Sequence, residues 1–516
     1  MEQLTIAVDW FTHGWHAFLG AWLVVLIGTW AGLRLRGANK GRFLTAPIAA
    51  AFVAPIAMLA AAALKTGLDA AGIAGPLWAY GTFGIFPIFG LLAGLLSRNP
   101  AQTVIHRGTV IQDGRPAQRW GRGGGLTLAG TLVPPADETK HFKMLGTTGT
   151  GKSTAIRELL GGALARGDRA VIADPDGGYL ARFHDATRGD VILNPFDPRA
   201  HTWDLYGEIT HAHDVEQLAR SLIPDHEGSD RSWRGYARNF FTAVTRQTND
   251  AGVRSLPELY RLLSAADSDE LRILVAGTPA QPFLEGGNER MFGSIRSVTG
   301  AALTALDYLA TQRGPPLAVR NWVRRGRGVL FLPYQANEIA ALRSVISAWM
   351  RLAIFECMTL GEGDARLWFV VDELDALGVI DGLKDALARL RKFGGRCVLG
   401  FQSIAQVSST YGHGEAQTIV ENCGNSLILR CSASENGGTA RFASKLIGER
   451  EVIRPTVSRT RRSGLFADPH HSVSRSEQHI TEAAVLPAEV EQLPDLHGYV
   501  KFASHPAWLR VRLPPP

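Results

Sequence analysis

"HFKMLGTTGTGKSTAIRELL", residues 141–160, sets a short apolar run before a glycine turn, a lysine and a helical pattern. Gly146, Thr147, Thr148, Gly149, Thr150, Gly151, Lys152 and Ser153 match G-x-x-x-x-G-K-[ST] at every fixed position, in the strand, loop and helix context that the motif requires. Glycines let successive backbone N–H groups turn inward around phosphate oxygens, and the N-terminus of the following helix adds its dipole. In a site of this kind Lys152 reaches the β and γ phosphates of ATP, Ser153 ligates Mg²⁺, and Thr154 completes the binding set on the first helical turn.

A P-loop needs an acidic partner at the end of a neighbouring strand. "RLWFVVDELDAL" (366–377) supplies a hydrophobic run of the kind buried in parallel sheets, ending in Asp372 and Glu373. Asp372 is expected to hold Mg²⁺ through water, and Glu373 to orient or deprotonate the attacking water. A further strand, "GRCVLGFQS" (395–403), ends in Gln402, placed either to sense the γ-phosphate or water or simply to cap a strand. Between the two, "LKDALARLRKFGG" reads as a helix with Arg389, Arg391 and Lys392 near its end, where basic residues also complement the helix dipole.

The first hundred residues have a different character. Three uncharged stretches, 15–33, 43–64 and 70–97, approach or exceed the roughly 20 residues that cross a hydrocarbon core. The tail before them contains Glu2 and Asp9 and no Lys or Arg, unlike a secretory signal. "RLRGANKGR" (34–42) carries four basic residues and no acid, which places this loop in the cytoplasm and, after two further crossings, everything beyond Arg98 there too. If 15–33 crosses there are three spans with the N-terminus outside; if it lies in the interface there are two. The net charge of +6 is modest, so nucleic-acid contact has to come from local patches. Cys357, Cys397, Cys423 and Cys431 show no C-x-x-C pair, which disfavours a zinc site or a disulfide framework.

Strand-like runs at 169–174, 190–194, 328–334, 425–431, 498–502 and 507–513 alternate with helical patterns, implying a mainly parallel, helix-covered α/β sheet. Residues 201–320 break that alternation with successive amphipathic helices and no convincing strand. The expected organisation is a transmembrane region (1–98), the first part of a nucleotide-binding domain (99–200), an all-α insertion (201–320) and the second part of the nucleotide-binding domain (321–516). Segment 454–479, with Arg454, Arg459, Arg461, Arg462 and Arg475, reads as an exposed loop or hairpin that is either solvated or holds phosphates of a threaded strand.

The N-proximal spans, "GTTGTGKS", "VIADPDGG", "VILNPFDPRAHTWDLY", "VVDELDAL", "LRKFGGRCVLGFQSIAQVSSTYG" and "LPDLHGYVKFA" together resemble the type IV coupling proteins of bacterial conjugation, the TraD/TrwB class. The resemblance runs from about residue 140 to 513. It implies a homo-hexameric ATPase of the bacterial inner membrane, multi-pass, with a RecA-like P-loop motor and an all-α domain facing the cytoplasm. Such a protein brings relaxase-bound single-stranded DNA to type IV secretion channel subunits. The resemblance also makes Arg391 an arginine finger serving a neighbouring subunit, and Gln402 the glutamine of the family motif. A chromosome-segregation translocase of the FtsK type is the nearest rival. A receptor that uses ATP to assemble and recruits without pumping is the alternative from another class.

Overall fold

The computed structural model describes residues 2–38, 40–73, 80–97, 104–114, 125–224, 231–363, 365–434, 437–461 and 471–515. The chain packs as two units, Met1–Ile105 with Val452–Ile480, and His106–Glu451 with Thr481–Pro516.

The larger unit is organised by ten strands: β1 (Ile111–Asp113), β2 (Phe142–Leu145), β3 (Arg169–Pro175), β4 (Val191–Ile192), β5 (Val329–Tyr334), β6 (Leu367–Val371), β7 (Gly395–Phe401), β8 (Asn425–Ile428), β9 (His497–Lys501) and β10 (Trp508–Arg512). Their order across one sheet is β1-β10-β9-β8-β2-β7-β6-β3-β5-β4. From β8 to β4 every neighbouring pair is parallel, whereas β9 runs antiparallel to both β8 and β10.

The hydrophobic runs follow from burial on both faces. In β6, Leu367, Phe369 and Val371 enter one core with the helix Ile339–Cys357, while Trp368 and Val370 enter the other with the P-loop helix Lys152–Ala165. The same two-residue alternation carries Leu145 into the first core and Phe142 and Met144 into the second. All strands from β8 to β4 therefore present their carboxyl ends along one edge, and the P-loop leaves from β2 near its centre.

Between β4 and β5 the chain forms helices, the longest being Arg231–Asp250. That helix buries Ala237, Phe240, Phe241 and Val244 at helical spacing and leaves its arginines outward or half-buried. Ser255 and Asp267 cap the next two helices by accepting backbone N–H bonds.

The helical segment begins and ends in short strands. Thr202–Trp203 and Pro316–Leu317 are strands, and they pair in parallel where the segment leaves and rejoins the sheet-bearing part of the chain. Two residues are too short for the alternation by which a strand is recognised. Glu208 secures the same neck: its carboxylate accepts Trp203 Nε1–H at 2.9 Å and the backbone N–H groups of Val319 at 2.6 Å and Arg320 at 3.1 Å. Burial pushes this carboxyl up to about 7.

In the smaller unit the helices are Glu2–Leu35, Lys40–Ala70 and Phe86–Leu96, the last preceded by a π-helical turn, Tyr80–Ile85. Two are long and apolar enough to cross a membrane, over Trp15–Leu35 and Gly41–Ala70. The third apolar stretch gives a shorter described helix, Phe83–Leu96, and its residues 74–79 lie outside the described residues.

Gly28 and Gly32 of the first helix face Gly90 and Gly94 of the third. A Cβ on Gly28 would lie 2.7 Å from the Pro87 carbonyl oxygen, and one on Gly94 would lie 2.8 Å from the Gly32 Cα. These G-x-x-x-G pairs let two helix backbones touch. Across the arginine-rich segment, Glu449–Arg461 and His471–Ala483 are neighbouring strands. Residues 462–470, Arg462 among them, lie outside the described residues.

Candidate functional site

β2 is buried at all four positions and delivers the chain to the P-loop. The loop is pinned from two sides. Gly146 N–H donates to the Phe401 carbonyl at 3.2 Å and Thr147 N–H to the Arg430 carbonyl at 2.9 Å, while Thr150 Oγ1–H donates across the loop to the Thr147 carbonyl at 2.7 Å. Gly149 and Gly151 take φ of 79° and 114°, a region that a side chain disfavours. Gly151 also lies against Leu496, where an added Cβ would come within 2.8 Å of Cδ2, and Leu496 N–H donates to the Thr150 carbonyl at 3.0 Å. The Lys152 ammonium folds into the loop and donates to the Gly146 carbonyl at 2.5 Å. Burial lowers its pKa, against the pull of Asp372 and Glu373.

β6 ends directly beside this loop. Asp372 Oδ2 accepts Ser153 Oγ–H at 2.6 Å and the Tyr179 phenol at 2.7 Å; its Oδ1 is buried and has no protein partner. Gln402, at the end of β7, donates through Nε2 to Glu373 Oε1, and its own carbonyl oxygen accepts Thr148 Oγ1–H at 3.4 Å. Burial raises the Glu373 pKa, the Gln402 bond opposing it. Gly400 explains how β7 comes so near: a Cβ there would sit 2.7 Å from the Asp372 carbonyl carbon.

Loop, acids and glutamine surround a cavity of about 530 Å³. A larger cleft of about 690 Å³ lies in the helical segment, lined by Glu216, Arg220, Arg238 and Arg246 among others. It has no glycine loop turning backbone amides inward, so chemistry rather than size marks the site. Hydroxyl, carboxylate and an unpaired carboxylate oxygen on one wall, with a lysine and backbone amides on another, suit a triphosphate and a hard cation.

The structure thus brings together Gly146–Ser153, Thr154, Asp372, Glu373 and Gln402. Arg391 stands apart. It follows the helix Leu383–Leu390 in an exposed turn before β7. The seven residues of β7, at about 3.3 Å each or roughly 23 Å, separate it from Gln402 and hence from its own P-loop.

Among the wall residues not anticipated from the sequence are Tyr179, Arg157 and Asp495. Tyr179 is the second residue of the helix Gly178–Phe183, where Asp174 accepts Tyr179 N–H at 3.0 Å and Leu180 N–H at 2.6 Å. Burial pushes the Asp174 carboxyl up to about 6. The available signal was "DPDGGY" at the carboxyl end of β3, where ligands of such sheets gather.

Residues 125–514 match the family model of the type IV secretion-system coupling protein DNA-binding domain. The chain belongs to that family. Its relatives include coupling protein TraD of Escherichia coli strain K12, 33% identical over 372 residues, which is 70% of this chain and 51% of TraD. Conjugal transfer protein TraG of Escherichia coli is 26% identical over 67% of this chain and 58% of its own length. The chain therefore spans about half the length of these relatives. Among solved structures, the unbound coupling protein TrwBΔN70 superposes with a TM-score of 0.71 at 32% identity, covering 81% of this chain and 95% of that one. TrwB has also been solved with the ATP analogue ADPNP and with ADP and Mg²⁺, each with a TM-score of 0.70. The coupling-protein fold, a RecA-like sheet with a helical insertion, is thus the fold of this chain.

Proposed function

We propose that this protein is an ATP-hydrolysing coupling protein that recruits relaxase-bound single-stranded DNA to a type IV secretion channel and drives its transfer. The observation that carries this reading is the meeting of P-loop, Asp372, Glu373 and Gln402 at one edge of a coupling-protein sheet. ATP and Mg²⁺ belong to the same reading, as does a division of the chain into membrane region (1–98), motor (99–200 and 321–516) and helical insertion (201–320). The basic loop 34–42 supports an inner-membrane protein whose motor lies in the cytoplasm, the membrane region crossing more than once.

In the proposed mechanism Lys152 exchanges the Gly146 carbonyl for β and γ phosphate oxygens. Ser153 would offer an oxygen lone pair to Mg²⁺ while its own O–H still donates to Asp372 Oδ2. Mg²⁺, when bound, neutralises charge developing on the phosphates. Glu373 orients the attacking water and takes its proton; the raised pKa suits that task. Gln402 ties Glu373 to Thr148, so arrival of a γ-phosphate at Thr148 reaches the base through one side chain. Arg391, a strand's length from its own site, acts on a neighbour's nucleotide in a homo-hexameric ring.

Turnover of the purified full-length chain in detergent tests the reading. Single-stranded DNA should stimulate ATP hydrolysis, and Lys152→Ala should abolish it while leaving membrane insertion intact. DNA binding without stimulation would replace the pump by a recruiting receptor, and retained turnover in Lys152→Ala would remove the P-loop assignment.

A further inference from the structure

We propose that Tyr179 is a positioning residue that sets the Mg²⁺ affinity of the site by clamping the Asp372 carboxylate. This rests on the assignment of Asp372 as the Mg²⁺ acid. A carboxylate rotates about its last side-chain bond with little cost, and either oxygen can face the cavity. Here two donors converge on Oδ2, the Ser153 hydroxyl at 2.6 Å and the Tyr179 phenol at 2.7 Å, and Oδ1 is left as the buried oxygen with nothing bonded to it. An unpaired buried carboxylate oxygen is costly unless something cationic or its water completes it.

The two donors are not equivalent. Ser153 would itself be a metal ligand, so its hydroxyl has a second duty. The phenol has no such second duty. Its ring is 1% exposed, the Arg157 guanidinium lies 5.6 Å from its centroid, and its backbone N–H is held by Asp174. Tyr179 is thus a donor whose one polar duty is to Asp372. A buried phenol also needs a partner for its own sake; what exceeds that requirement here is the choice of the oxygen that Ser153 already holds. Asp372 reaches the phenol across the β6–β3 strand pair, so the clamp also sets where the acid stands relative to the end of β3.

Binding of a fluorescent ADP analogue to the full-length protein, titrated with Mg²⁺ and repeated in EDTA, reads this directly. Tyr179→Phe should raise half-saturating Mg²⁺ about tenfold, as removal of an outer-shell partner does elsewhere, with affinity in EDTA unchanged. Asp372→Asn should lose the Mg²⁺ response altogether. If Asp372→Asn keeps that response, the Mg²⁺ acid has been misassigned and the clamp falls with it. If Asp372→Asn loses it while Tyr179→Phe titrates like the parent, the clamp alone is overturned. Equal weakening with and without Mg²⁺ in Tyr179→Phe would reduce the phenol to wall packing, and this too overturns the proposal.

Discussion

The nucleotide edge and the N-terminal helices both depend on glycine, for opposite reasons. In the P-loop, Gly149 and Gly151 are chosen for a backbone angle, and large side chains such as Phe142, Trp368 and Phe401 fill the space around the strands. In the apolar helices Gly28, Gly32, Gly90 and Gly94 have ordinary helical geometry and are chosen for what is missing, since each faces another backbone. The second helix adds Ala46, Ala50, Ala54 and Ala57 to the same buried cluster. Water rewards burial of large apolar groups. Hydrocarbon does not, so helices that meet there gain from close backbone contact. On the proposed membrane placement, two solvents would leave two packing grammars in one chain.

Three substitutions test how far that division holds. Arg391→Ala should have the largest effect, because a guanidinium acting on transferred phosphate is worth about 10³ to 10⁵ in rate, against about 0.3 to 1 kcal/mol for a residue that only complements a helix end. Mixing Arg391→Ala with Lys152→Ala subunits should restore part of the hydrolysis. Near-parental turnover by Arg391→Ala alone would show that this exposed turn is outside the machinery. Gly400→Ala comes next: the methyl must displace the backbone of Asp372, and a shift of about 1 Å at a reacting centre costs on the order of 10²-fold. Nucleotide binding should persist while turnover falls; unchanged turnover would mean that the β6–β7 spacing is not set by this glycine. Gly90→Val should cost about 1 to 3 kcal/mol, the usual range for overpacking, read as a lower melting temperature of the detergent-solubilised protein with ADP affinity unchanged. An unaltered melting temperature would show that the first and third helices do not rely on backbone contact.

Some of this was open to reading in advance and some was not. The P-loop and the Asp372–Glu373 pair were legible because phosphate chemistry requires particular residue types at fixed spacing. β6 and β7 were legible because both faces are buried, which leaves unbroken apolar runs. Arg391 could be placed near a helix end, but only the sheet shows that it stands a strand's length from its own P-loop. Tyr179 lay one residue beyond a motif whose meaning depends on the β6 acid, far away in sequence. Gly28 and Gly90 were present at the right spacing within the apolar stretches, yet spacing along one helix does not say which helix it meets. The neck strands at 202–203 and 316–317 carry no pattern at all, since two residues cannot alternate.

That neck has a consequence for how such a fold can diversify. The whole segment between residues 203 and 316 departs and returns through adjacent paired strands, whose axes lie about 4.8 Å apart. Its ends are therefore as close as those of a tight turn, and to the sheet it is topologically a decorated loop. Helices there can be lengthened, recharged or exchanged without altering the register of β4 or β5. A lineage can thus change the helical segment while inheriting the sheet unchanged, with Glu208 as the fastening at its neck.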